Sequence, residues 1–278
     1  MITSITFSKD RPAQLDLFLT SMNNCARHLF VDNKILYTFS NKKYEKGYKK
    51  VIEKWSDVHE FVLQEDFCKD TRRLCNTKNR FICGFTDDDI FYRKVPIKQY
   101  DVAALYDEME IGCLSLRTGK NTTEIYDFVP HTGEEKINIE PPKYLADYED
   151  RFYIWNRLIS RHISYNYILS LNGHIFRAKT FNYLINAFSF DNPNHLEAQL
   201  QKYSTFLSPL MASLAQSVIV NVPINKVQST NDNTYGSKFK FAQEDINKEF
   251  LLGKHIDFDG IDFSNVNSTH QEFELKML

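Results

Sequence analysis

The sequence predicts an α/β fold with a mainly parallel central sheet flanked by helices, and three observations carry that expectation. Short β-branched apolar runs alternate with apolar positions at helical spacing through the first half of the chain. Four of the apolar runs end in polar segments, SKDR (8–11), SNKK (40–43), QEDF (64–67) and TDDD (86–89), as strands do when a crevice lies beyond their carboxyl ends. No linker and no internal repeat divides the chain, so one domain over residues 1–278 is expected.

The elements follow in order. Residues 1–7 (MITSITF) predict a strand, SKDRP interrupts it, and Leu15, Phe18, Leu19 and Met22 recur at the i, i+3, i+4, i+7 spacing of a helix face. Asp10 is expected to cap that helix, with Pro12 in its first turn. Residues 34–39 (KILYTF) predict a strand, 44–55 a helix, 58–63 (VHEFVL) a strand, 66–78 a helix and 81–85 a strand. Repeated strand–helix steps of this kind argue for parallel strands joined by right-handed crossovers. Beyond them, 97–105 reads as a helix and 111–116 (IGCLSL) as a strand, while 118–150 reads as a long polar loop broken by Pro130, Pro141 and Pro142. An aromatic, Asn-rich stretch (152–177), a helical stretch (179–188), FDNPNHLEAQLQKY (190–203) and VIVNVPINKVQ (218–228) complete the chain, with a tail ending near HQEF (270–273).

Composition excludes several classes of function. A formal net charge of −2 provides no global field for nucleic acid or anionic lipid. The lysines between Lys42 and Lys54 are interleaved with Glu45 and Glu53, and Tyr44, Tyr48, Ile52 and Trp55 mark the other side, so they read as the solvated face of an amphipathic helix. Five cysteines with no CxxC pair suit a reducing compartment better than a disulfide scaffold. With no apolar run of spanning length and no signal-peptide pattern, a cytoplasmic location is expected, peripheral association with the inner face of the membrane remaining open.

The chemistry concentrates in FICGFTDDDIFY (81–92), where a buried strand delivers three consecutive aspartates to its end. Like charges this close repel unless a cation or hydrogen bonds compensate them, which suggests a divalent metal; an Asp-rich turn is the alternative. Residues two apart on a strand share a side, which would aim Asp87 and Asp89 together and Asp88 the other way. Neither GxGxxG nor GxxxxGK[ST] follows the first strand, so a dinucleotide fingerprint and a P-loop are excluded.

ITFSKDRPAQL, the DDD element and SLNGHIF (170–176) together resemble nucleotide-sugar glycosyltransferases of the GT-A fold, particularly bacterial family 2-like enzymes. FDNPNHLE, NVPINKVQ and STHQE are similar to segments that recur in such sequences. The resemblance implies a GT-A type, Rossmann-like domain, with 1–117 binding the nucleotide sugar and 118–278 binding the acceptor. It also implies metal-dependent, inverting transfer of a sugar from a UDP- or GDP-sugar to a hydroxyl of a glycan or glycolipid.

Mn²⁺ or Mg²⁺ would bridge the donor diphosphate through Asp87 and Asp89, with His270 completing the metal shell and Asp88 among the donor contacts. Phe7, Ser8, Lys9 and Arg11 would line the nucleotide, and Arg73 and Lys78 are candidate cations for the diphosphate. Asn172, Gly173 and His174 are expected near sugar and acceptor, Asn172 standing where the resembling enzymes often have an acidic residue; an Asn-Gly hairpin is the alternative. The catalytic base is expected to be Glu197, with Asp191 behind it, although an acid in a helix's first turn also complements the helix dipole. Asn225 and Gln228 offer amides to donor or acceptor.

Two rival readings remain. A nucleotidyltransferase acting on a sugar phosphate would share the sheet and the metal, but SKDRPAQ lacks the glycines of its phosphate loop. A catalytically inactive carbohydrate-binding protein of the same fold is kept open by Asn172.

Overall fold

β1 (Ile2–Lys9) is buried at every residue except Lys9, the mark of a strand covered on both faces. In the computed structural model, which describes residues 1–129, 133–223 and 242–278, strict alternation follows it. The order is α1 (Pro12–Cys25), β2 (Asp32–Thr38), α2 (Lys42–Trp55), β3 (Glu60–Leu63), α3 (Phe67–Cys75) and β4 (Phe81–Thr86). β1 pairs in parallel with β2 and β4, and β2 with β3, as the strand–helix rhythm requires.

The chain continues through β5 (Asp89–Phe91), α4 (Gln99–Glu108), β6 (Cys113–Ser115), β7 (Glu124–Val129), β8 (Gly133–Asn138), β9 (Ala146–Tyr148) and β10 (Phe152–Asn156). Then come α5 (Ile163–Asn166), β11 (His174–Arg177), α6 (Ala178–Ile185), α7 (Pro193–Gln201), β12 (Leu210–Leu214), β13 (Ile219–Asn221) and α8 (Gln243–Leu251). Nine strands form one sheet in the order β3-β2-β1-β4-β11-β6-β12-β10-β9. The sheet is mostly parallel, with β11 reversed between β4 and β6, and β10 reversed between β12 and β9.

Alternation along the strands sorts side chains into two apolar layers. Phe81, Cys83 and Phe85 of β4 join α1, α2 and α4 residues such as Phe18, Val51 and Leu105, whereas Ile82 joins Leu74, Phe181 and Leu196 from α3, α6 and α7. The region 118–150 departs from the expected loop: it holds the antiparallel β7–β8 hairpin and β9. That hairpin stands outside the main sheet; β7 (EIYDFV) does carry apolar residues, but β8 (GEEKIN) is polar and prolines break the stretch, so the region as a whole reads as loop. Among the described residues, no helix is long and apolar enough to cross a membrane.

Gly173 does not sit in an Asn-Gly hairpin. Its N–H donates to the Gly84 carbonyl (2.9 Å), its own carbonyl accepts from Leu116 N (2.8 Å), and its φ is 73°. A Cβ there would lie 2.9 Å from Ile219 Cγ2. Gly173→Ala therefore combines a left-handed backbone with a clash, and an equilibrium denaturant titration should show a loss of about 1–3 kcal/mol.

Candidate functional site

β4 stops at Thr86 and β5 starts at Asp89, so Asp87 and Asp88 occupy a turn. The pleat does not continue through a turn, and the expected facing of Asp87 and Asp89 away from Asp88 is overturned for that reason. Asp87 and Asp89 are 4% and 1% exposed, whereas the Asp88 side chain keeps 16% of its surface open. Each carboxylate oxygen in the run accepts at least one hydrogen bond. Asp87 Oδ2 accepts from Ser8 Oγ (2.8 Å) and Lys9 N (3.2 Å), and its Oδ1 from Arg11 Nη1 (3.1 Å). Asp88 accepts from Arg11 Nη1 (2.8 Å) and Asn221 Nδ2 (2.8 Å), while Asp89 accepts from Thr86 N (2.9 Å) and Asn221 Nδ2 (3.1 Å).

These surroundings separate three chemically identical groups. Burial pushes the Asp87 pKa up to about 6 against the pull of Arg11, and burial together with the Asp88 charge pushes Asp89 up to about 7. Burial also opposes ionisation of Asp88, but Arg11 and the hydrogen bond from Asn221 outweigh it and hold that pKa below the ordinary carboxylate range. Asp88 is thus the open, charged member of the run, and Asp89 is chiefly a brace for its own turn.

The loop after β1 forms the adjacent wall. Ser8 and the Arg11 backbone N–H are tied to Tyr48 OH of α2 at 2.7 and 3.2 Å, an anchor that the helical pattern of α2 could not distinguish from a core tyrosine. Phe7 packs its ring on Phe67 (5.4 Å between centroids), and its carbonyl accepts from Asp87 N (3.1 Å). Lys9 is exposed. Asp10 does not cap α1: at φ 57° its carboxylate turns across to Ser40 N (2.6 Å), joining the ends of β1 and β2, and its carbonyl accepts from Gln243 Nε2 of α8.

The C-terminal half supplies the opposite wall. β13 pairs with β5 and sets Asn221 opposite Asp89, and the tail runs beside β13 so that His270 bridges Asn221. His270 is an exposed residue, but desolvation by the surrounding protein and the Arg117 charge lower its pKa to about 3, leaving a neutral imidazole. Arg117, just after β6, donates to Ser170 Oγ (2.9 Å) and meets both His270 ring nitrogens at 3.3 and 3.2 Å. Half-buried Glu197 on α7 accepts from Leu171 N (2.8 Å) beside Ser170, and burial raises its pKa against Leu171 N and Arg117. Asn172 is half-buried on the same segment, its N–H donating to Ser170 Oγ (3.2 Å).

Sequence reasoning missed Arg117, Asn221 and Tyr48. Arg117 and Asn221 are polar residues ending apolar strands (IGCLSLR and VIVN), the same signal that marks TDDD. Other expected residues lie elsewhere. A crossover helix runs antiparallel to its strands, which carries Arg73 at the end of α3 and Lys78 in the following loop to the amino end of the sheet. There, neighbouring Thr77 and Asn79 bond Thr3 at the start of β1, and Arg73 pairs with Asp70 (3.2 Å). Arg73→Ala and Lys78→Ala should therefore leave nucleotide affinity within about twofold of wild type in calorimetric titrations, since exposed charges of this kind contribute little.

His174 is 1% exposed and points into the core, its Nδ1 bonded to the Ile168 carbonyl (2.9 Å) and its pKa lowered by burial to about 3; it is a neutral structural histidine and not an acceptor contact. Asp191 has a 77% exposed side chain that accepts from His195 Nδ1 (3.0 Å) and Asn192 Nδ2 (2.8 Å), away from the Glu197 cluster. Asn225 and Gln228 lie outside the described residues.

Among the described residues, no group of three or more His, Cys, Asp or Glu side chains could hold a metal ion. Asp87 and Asp89, more deeply buried than Asp88, do not suit that role. The donor chemistry that opens on the crevice is the charged Asp88 carboxylate and the neutral His270 imidazole. Two such donors fit Mn²⁺ or Mg²⁺ when phosphate oxygens and water complete the shell.

No family model matches the chain. It is 27% identical over 262 residues to the bifunctional glycosyltransferase pgtA of Dictyostelium discoideum, covering 84% of this chain and 33% of that protein. The chain thus spans about a third of the length of that curated relative. Among solved structures, S. aureus TarS 1-349 matches at a TM-score of 0.46 and 16% identity, over 77% of this chain and 58% of that chain. TarS 1-349 in complex with UDP-GlcNAc matches at 0.47 and 14% identity, over 91% and 66%.

Proposed function

We propose that this chain is a glycosyltransferase that binds a nucleotide-sugar donor, a UDP- or GDP-sugar, at the carboxyl ends of β1 and β4 and moves its sugar to a hydroxyl acceptor. The observation that carries this reading is a pair of carboxylates, Asp88 and Glu197, driven to opposite protonation behaviour by their surroundings. Against its burial, Arg11 holds Asp88 charged, while burial pushes Glu197 toward its neutral form against the pull of Leu171 N and Arg117. Such divergence separates a charge-binding group from a proton-accepting one. The similarity to pgtA over most of the chain supports the same reaction class.

In this reading the Phe7–Arg11 loop and Asp88 hold the nucleotide, and Asp88 with His270 would hold Mn²⁺ or Mg²⁺. When bound, the ion supplies positive charge against the departing diphosphate. Glu197, fixed by Leu171 N, takes the proton from the acceptor hydroxyl as that oxygen attacks, giving an inverting single displacement. The segment around Asn172 and Ser170 meets the acceptor, a glycan or glycolipid, the latter at a membrane surface.

Purified protein incubated with UDP- and GDP-sugars, with and without Mn²⁺, tests the proposal. A nucleotide-dependent rise in melting temperature together with slow donor hydrolysis is expected. Binding without any turnover would replace the transferase by a carbohydrate-binding protein, and no nucleotide-dependent shift would remove the donor site altogether.

A further inference from the structure

Arg117 is a buried cation whose near neighbours among the described residues carry no negative charge. It is 9% exposed. Among the described residues, its guanidinium donates to Ser170 Oγ (2.9 Å), reaches the Thr269 carbonyl at 3.5 Å and meets the neutral His270 ring, while Nε has no hydrogen-bond partner. Asp89, Glu197 and Asp88 act on it only as a surrounding field, and burial lowers its pKa despite them. A guanidinium taken out of water without a direct counter-charge is costly unless a ligand completes it.

Its position restricts the ligand. Arg117 lies between the donor side of the crevice, Asp88 with His270, and the Ser170–Leu171 segment that holds Glu197. A charge leaving the donor on the side opposite the base would develop within this reach, and the planar fork of a guanidinium matches two phosphate oxygens.

We propose that Arg117 is an anion-binding residue that takes the diphosphate of the nucleotide donor. The assignment rests on the glycosyltransferase reading for the identity of the anion, but the anion site itself stands on the local geometry.

Calorimetric titration in EDTA, which removes divalent ions as a cause, tests this with UDP, GDP, uridine, guanosine and inorganic pyrophosphate on wild type, Arg117→Gln and Arg117→Lys. Arg117→Gln should lose about 10- to 100-fold in affinity for the preferred nucleoside diphosphate and for pyrophosphate, as expected for a charged hydrogen bond, with nucleoside affinity unchanged. Arg117→Lys should fall between the two. Nucleoside diphosphate affinity in Arg117→Gln equal to wild type overturns the proposal. Wild type that binds pyrophosphate but neither nucleoside diphosphate would sink the donor reading while upholding the anion site, provided Arg117→Gln loses pyrophosphate. If Arg117→Gln fails to fold by its melting curve, the proposal stands or falls on whether Arg117→Lys loses diphosphate affinity with nucleoside affinity intact.

Discussion

Asp88→Asn is expected to abolish the enhancement of nucleotide binding by Mn²⁺ and to reduce sugar transfer by about 10²- to 10⁴-fold, the range that follows from removing several kcal/mol of charge stabilisation. The substitution keeps the shape of the side chain and an oxygen for the Asn221 amide at 2.8 Å. What it removes is the negative charge that Arg11 and Asn221 maintain in the one open carboxylate of the turn. Melting curves with UDP or GDP, each with Mn²⁺ and with EDTA, read the effect directly. A variant that still gains Mn²⁺-dependent stabilisation equal to wild type would contradict the assignment to Asp88.

Glu197→Gln is expected to cost about 10²- to 10⁴-fold in turnover, the range for loss of a positioned general base, with donor affinity little changed. Burial raises the Glu197 pKa above its ordinary 4.5. The base acts only when deprotonated, so the wild-type rate should fall as pH drops through that raised value, and the acid limb should lie above pH 4.5. Stability runs the other way. A carboxyl whose folded pKa is raised contributes fully below its unfolded pKa, and its contribution is lost as pH rises through the folded value. Glu197→Gln should therefore melt higher than wild type at pH 8, with the difference closing toward pH 4. A lower melting temperature at pH 8 with full activity would identify Glu197 as a helix-terminal brace.

The regular part of the fold was legible because β1 to β4 obey one rule. Each is an apolar run ending in polar residues, and the helices between them repeat every three to four residues. What escaped was nonlocal. β11 enters the sheet between β4 and β6 from about ninety positions downstream of β4, and nothing in HIFR states its partner. The hairpin β7–β8 read as loop because the apolar residues of EIYDFV stand in a stretch that is otherwise polar and broken by prolines.

At the site, DDD lies where Ser8, Arg11 and Asn221 converge, but not in the conformation that periodicity assigned to it. Periodicity assigned Asp87 and Asp89 to one side, but the strand had already ended, and Ser8, Arg11 and Thr86 consume their oxygens. Glu197 was singled out by its place in the order of motifs, and the fold sets it against Leu171 N. Arg117 and Asn221 were missed because each reads as an ordinary strand-end polar residue until the fold brings it against a residue far away in sequence. Arg73 and Lys78 failed for a topological reason, since charge was counted without asking which end of the sheet a crossover helix returns to.

Crystals grown with Mn²⁺ and UDP or GDP, with data collected to locate manganese by its anomalous scattering, test the central claim most directly. The account predicts the nucleotide over the carboxyl ends of β1 and β4, with the manganese peak bound by Asp88 and the diphosphate and with His270 beside it. A nucleotide lodged elsewhere, or manganese held by Asp87 and Asp89 with Asp88 turned to solvent, would contradict it.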